Sequence, residues 1–217
     1  MSVKNAISNA ANNFLNATRS LVESKVTEIS SKNSTSSQSY TRCGNIAVSA
    51  SELEEFGWCD VTFESVKSLN HTLNKYNIIT KEEISHFLAQ CAYEGDWGRG
   101  VIEYGDDYYL RSLDYYPYYG AGYIQVSTKG NYELFSKDMN DPLIYNGEGS
   151  PEYVAANYAW EAAGWWWDTA CMNQKLQEGY TVDQVSGNVI YWDKDGPDNG
   201  SYEQRRKNYY KIYNILK

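Results

Sequence analysis

The sequence predicts a mainly α fold of the α+β kind, and three observations carry that prediction. Apolar residues recur at helical spacing behind clear N-terminal caps. Residues 152–173 are apolar nearly all round. One short segment, residues 120–127 (GAGYIQVS), alternates in the manner of a strand after a glycine turn. A helix that is apolar on every side must be buried, so 152–173 is the expected central helix.

The elements follow in chain order. Residues 1–31 repeat Val3, Ile7, Ala10, Phe14, Leu21, Val26 and Ile29 in a thin helical stripe, and 30–41 (SSKNSTSSQSYT) have linker composition. Residues 1–45 therefore read as an N-terminal helical segment with a Ser-rich linker. Its first 31 residues form either a weakly held tail or an element with a partner or export role, and 46–217 form one domain. Ser49 or Ser51 caps a short helix around Leu53. Phe63, Val66, Leu69 and Leu73 mark a helix over 62–76, and Thr80 with Glu83 makes a capping box opening a helix that ends near Glu94. Residues 104–123 carry eight tyrosines with no clean period and are expected as loop and short strand. Pro151 suits the first turn of the central helix, whose tryptophans are expected in the core. Residues 193–200 read as a turn cluster, because Pro197, Asp198 and Gln204 break the calcium-loop pattern. Residues 205–216 close the chain as a helix with Tyr209, Ile212, Tyr213, Ile215 and Leu216 inward.

Bulk properties narrow the function. A net charge of −9 argues against nucleic acid, whose binding rests on a basic surface. Seven Trp and 21 Tyr point to aromatic faces used as surface as well as core, and such faces suit the C–H side of sugar rings; AT-rich coding also raises Tyr. Cys43, Cys59, Cys91 and Cys171 are widely spaced, with only His71 and His86 beside them, which is not the donor pattern of a metal site, and no cofactor is implied. The four cysteines admit three pairings, Cys43–Cys59 among them; Cys91 and Cys171 sit in helical apolar patterns and read as buried thiols. No run has the length of a membrane span or the apolar core of a signal peptide, so the protein is expected to be made in the cytoplasm and released by other means.

Chemistry concentrates in residues 84–103, ISHFLAQCAYEGDWGRGVIE. Glu94 ends a helix, where the negative pole of the macrodipole disfavours a second negative charge, as a general acid requires. On one unbroken helix Glu103, nine residues on, would point roughly 180° away and lie about 13.5 Å along the axis. Gly95, Gly98 and Gly100 break the helix and let the chain double back, so that Glu103 faces Glu94 across a cleft. An inverting glycosidase needs two carboxyls about 6.5–9.5 Å apart, with a water between them.

From about Ala47 onward the chain resembles the family 19 glycoside hydrolases, the chitinases and phage-type endolysins of the lysozyme-like superfamily. Five motifs in order carry the resemblance. They are F-x-A-Q-x-A-x-E over 87–94 with a second Glu at Glu103, G-x-G-Y-I-Q-x-S over 120–127, Asn131-Tyr132, A-x-W-x-W over 163–167, and a closing R-x-x-x-Y helix from Arg205. The departures are Tyr93 where the family has His, Ala121 where it has Arg, and Ile190, with Asn188 nearby, where it has the Asn of a late Asn-Gly-Gly turn. The resemblance implies a bilobal helical domain with a small β element. It also implies Glu94 as general acid, Glu103 as general base, Ser127 holding the attacking water, and Gln125, Asn131, Tyr123, Trp97 and Arg205 as substrate contacts. The implied activity is inverting endo-hydrolysis of β-1,4 bonds in N-acetylglucosamine polymers by a monomer without cofactor. The short spacing of the two Glu is similar to bacterial and phage members, and peptidoglycan is the favoured substrate because the short loops look like endolysins, no signal peptide is present and no chitin-binding module is visible; chitin is the alternative. A binding protein on a decayed scaffold is the reading from another class. A serine hydrolase using His86 or His71 lacks a nucleophile elbow.

Overall fold

The computed structural model describes residues 48–217; the expectations for residues 1–45 and for a Cys43 pairing lie outside them. Ten α-helices and two 3₁₀ turns make up the described chain. The helices are α1 (Ala50–Phe56), α2 (Phe63–Lys75), α3 (Lys81–Glu94), α4 (Asp107–Ser112), α5 (Lys129–Met139), α6 (Ser150–Asn157), α7 (Ala159–Thr169), α8 (Met172–Gln177), α9 (Val182–Tyr191) and α10 (Tyr202–Ile215). The 3₁₀ turns are Asp96–Gly98 and Pro142–Tyr145.

Local chemistry sets the starts of the first three helices. Ser49 and Glu52 close a capping box on α1, Thr62 accepts the Ser65 N–H at α2, and Thr80 and Glu83 close a second box on α3. The longest helix pairing is α3 against α10, while α2 packs on α7. At that second crossing a Cβ on Gly164 would stand 2.4 Å from both Thr72 and Tyr76, so only glycine lets the two helices meet. The core around them is aromatic: Trp58 stacks on Trp160 at 4.7 Å, and Phe87 meets Trp167 edge-on at 5.5 Å. Trp165, Trp166 and Trp167 are buried, as expected of a core rather than a sugar platform.

Several elements depart from the sequence expectation. The single central helix over 152–173 is three helices, α6, α7 and α8. Tyr158 leaves helical geometry at φ −140°, with its hydroxyl donating to Asp141 at 2.8 Å beside the same bond from Tyr153, and Cys171 turns left-handed at φ 54°. Cys171 is consequently exposed at a junction, whereas Cys91 is buried inside α3. Residues 104–123 contain α4, capped by the Asp106 carboxylate on the Tyr109 N–H. The expected strand over 120–127 is reduced to isolated antiparallel bridges, Ile102 with Ala121 and Ala121 with Val126. On α10, Arg205, Asn208 and Ile212 form the buried stripe; Tyr213 falls beside it, exposed, with the Lys81 ammonium 4.5 Å from its ring. Residues 193–200 form no helix or strand, with a turn at Lys194–Asp195 and a bend at Gly200. No helix among the described residues is long and apolar enough to cross a membrane.

Candidate active site

The site grows from the end of α3. The Gly95 N–H closes the helix on Cys91 O at 2.9 Å, and the Gly98 and Gly100 N–H groups both donate back to Gly95 O at 2.9 Å. Asp96 and Trp97 between them are left-handed, at φ 43° and 57°. The chain therefore reverses within six residues of Glu94. A Cβ on Gly95 would stand 3.1 Å from the Tyr123 ring and 3.2 Å from its Cα. The reversal is thus seated directly on the 120–127 turn.

That turn also carries Glu103. The Gly122 N–H donates to Val101 O at 2.9 Å and the Glu103 N–H to Gly120 O at 2.8 Å, while Ala121 and Val126 exchange both backbone bonds at 3.0 and 2.9 Å. The Glu103 carboxylate accepts the Gly120 N–H at 2.8 Å and the Tyr115 hydroxyl at 3.0 Å. Burial first, and then this bond to Glu103, push the Tyr115 phenol up to about 12, so it stays a donor. Ser127 leaves the turn half-buried, its carbonyl accepting Asn131 Nδ2 at 2.9 Å. Its hydroxyl has no partner among the described residues.

Glu94 is held from the other side. The Arg205 guanidinium, 1% exposed, donates Nη2 to Glu94 Oε1, Nη1 to Gln90 Oε1 and Nε to Ser201 Oγ at 3.0 Å. Gln90 Nε2 donates in turn to Ser186 Oγ at 3.2 Å, and the Glu94 side chain keeps 24% of its surface exposed. The isolated helix-end carboxyl expected from sequence is in fact the partner of a buried cation, which offsets the macrodipole.

Among solved structures, a bacterial family 19 chitinase superposes with a TM-score of 0.62 at 21% identity, over 78% of this chain and 95% of that one. Chitinase C from Streptomyces griseus HUT6037 gives 0.61 at 17% identity, covering 85% of this chain and 84% of that one. The fold is that of the family 19 chitinases. A class IV chitinase from Zea mays gives 0.54 at 20% identity, over 78% of this chain and 86% of that one. No protein-family model and no curated relative matches this sequence.

Within the family 19 fold, the predicted site residues divide into two groups. Glu94, Glu103, Ser127 and Asn131 are half-buried, with functional groups left over for another molecule. The other four also hold protein contacts: Tyr123 is buried, Trp97 and Gln125 are half-buried, and Arg205 is buried against Glu94. Tyr123 is 2% exposed, meets Trp58 edge-on at 4.9 Å, and donates its hydroxyl to Asp60 at 3.2 Å. Trp97 packs on Phe56 at 4.9 Å, with Lys211 Nζ 5.5 Å from its ring, and its carbonyl accepts the Cys59 N–H. Gln125 spends its amide N–H groups on Gly100 O and Gly122 O, pinning the turn to the loop before Glu103. Arg205 is a partner of Glu94 in this arrangement. Tyr115 and Ser186 were not singled out from sequence. Gln90 left one signal, a lone amide in an apolar run four residues before Glu94. No cluster of three or more His, Cys, Asp or Glu side chains among the described residues is placed to hold a metal ion.

Proposed function

We propose that the protein is an inverting endo-glycosidase that hydrolyses β-1,4 bonds in N-acetylglucosamine-containing polymers, with bacterial peptidoglycan as substrate. One observation carries the proposal: the turn that binds the Glu103 carboxylate is the surface on which the chain following Glu94 is seated. In this scheme Glu94 protonates the leaving oxygen, and Arg205 stabilises the carboxylate that remains. Glu103 takes a proton from a water held by the Ser127 hydroxyl on the opposite face of the sugar. Gly120 and Tyr115 orient Glu103 for that step without competing for the proton.

Peptidoglycan is supported by the short loops, which look like those of endolysins; the nine-residue spacing of the two Glu is shared by bacterial and phage members of the family. The enzyme acts as a monomer through residues 46–217, is made in the cytoplasm, and reaches the cell wall after release through a pore or by non-classical export. Chitin is the second reading, favoured by the chitinases that share the fold. Mass spectrometry of products from purified peptidoglycan and from chitin oligomers, run side by side, separates the two. New reducing ends are expected from peptidoglycan, with Glu94→Gln and Glu103→Gln both abolishing them. Release from chitin alone moves the substrate to chitin. Binding without cleavage of either polymer replaces the enzyme by a sugar-binding protein.

A further inference from the structure

Tyr93 stands beside the candidate acid, where the resemblance places His, and is 40% exposed. Its ring lies against the Arg205 guanidinium, with Cζ 4.2 Å from the centroid, and its hydroxyl has no partner among the described residues. The edge of that guanidinium is already committed to Glu94, Gln90 and Ser201. A guanidinium hydrogen-bonds along its edge and is weakly hydrated on its faces, so an aromatic ring stacks there without taking a donor away. Arg205 is buried while the Glu94 side chain is partly open to solvent, and Tyr93 lies at that boundary.

We propose that Tyr93 is a positioning residue whose ring face fixes the plane of the Arg205 guanidinium, so that Nη2 stays aimed at Glu94, and keeps water off that ion pair. The role belongs to the ring and not to the hydroxyl. It rests on Glu94 being the general acid, and it adds a third group to the acid's support.

The test compares Tyr93→Phe and Tyr93→Leu in the full chain. Tyr93→Phe is expected to match wild type in kcat and KM. Tyr93→Leu keeps bulk but loses the π face, and its kcat is expected to fall about tenfold, the rate equivalent of a cation–π contact between the exposed and the desolvated limits, with KM unchanged. A second readout needs no substrate: nitrogen-15 NMR of the Arg205 side chain. Slowly exchanging, ring-shifted guanidinium resonances are expected in wild type and Tyr93→Phe, and their loss in Tyr93→Leu. Wild-type kcat in Tyr93→Leu, or equal losses in both variants, or guanidinium resonances unchanged in Tyr93→Leu, each overturns the proposal. If the wild-type protein cleaves neither polymer, the glycosidase reading falls, and the Arg205 resonances still decide whether Tyr93 holds the guanidinium.

Discussion

Glu103 is held by its own neighbourhood, since the Gly120 N–H and the Tyr115 hydroxyl come from 17 and 12 residues along the chain, whereas Glu94 depends on a guanidinium 111 positions away. The two supports also differ in kind. Around Glu103 they are a neutral backbone donor and a phenol on a half-buried loop. Around Glu94 they are a buried cation fixed between two packed helices, α3 and α10. Orientation of the proposed base, Glu103, therefore belongs to the geometry of one turn. Orientation of the proposed acid, Glu94, belongs to the docking of α10 on α3.

That contrast is open to measurement. Arg205→Ala leaves Glu94 and Gln90 facing an empty space and should cost about 3–5 kcal/mol in denaturant unfolding, as breaking buried ion pairs does. A variant as stable as wild type would detach the acid's support from the α3–α10 interface. Next in size is acid sensitivity of the same interface. His86 on α3 is buried against Tyr209 of α10, centroids 4.3 Å apart, with Nδ1 unpartnered, and burial lowers its pKa from 6.5 to about 4. The folded state thus binds this proton less readily than the unfolded chain. The contribution is fully present above about pH 6.5 and is lost as pH falls towards 4, up to about 3 kcal/mol. Unfolding midpoints taken across that range should slope in wild type and flatten in His86→Leu; equal slopes would clear His86 of the effect.

On the Glu103 side the effects should be smaller. Tyr115→Phe removes one donor from the carboxylate and should cost about 1 kcal/mol of stability, read by the same unfolding assay. A loss as large as that of Arg205→Ala would erase the distinction between the two supports. Ser127→Ala should leave stability within about 0.5 kcal/mol, because the hydroxyl has no partner among the described residues, while lowering the hydrolysis rate. An unchanged rate would remove Ser127 from the water-holding role.

What could be read in the sequence follows the same divide. The capping box at Thr80 and the glycine reversal after Glu94 are made by residues three to six apart, so they were legible, and at the first helix the sequence left the cap between Ser49 and Ser51. The break at Tyr158 was not, because the Asp141 carboxylate that receives its hydroxyl comes from another segment. The inward packing of Tyr123 was not legible either, because a motif shows that an aromatic is wanted without showing which way it faces; Trp58 and Trp160 set that. Arg205 was found through the resemblance, but its partner could not be, since no local rule links positions 94 and 205.

The reach from Glu94 to Arg205 also sets an order of events during synthesis. A ribosome makes this chain from the N-terminus, so both carboxyls and the turn beneath them emerge long before the guanidinium that steadies one of them. Until α10 is complete and docked, the nascent protein carries the proposed acid without its counter-ion. A chain stopped before Tyr202 therefore contains every proposed catalytic side chain but not the guanidinium that aims the proposed acid.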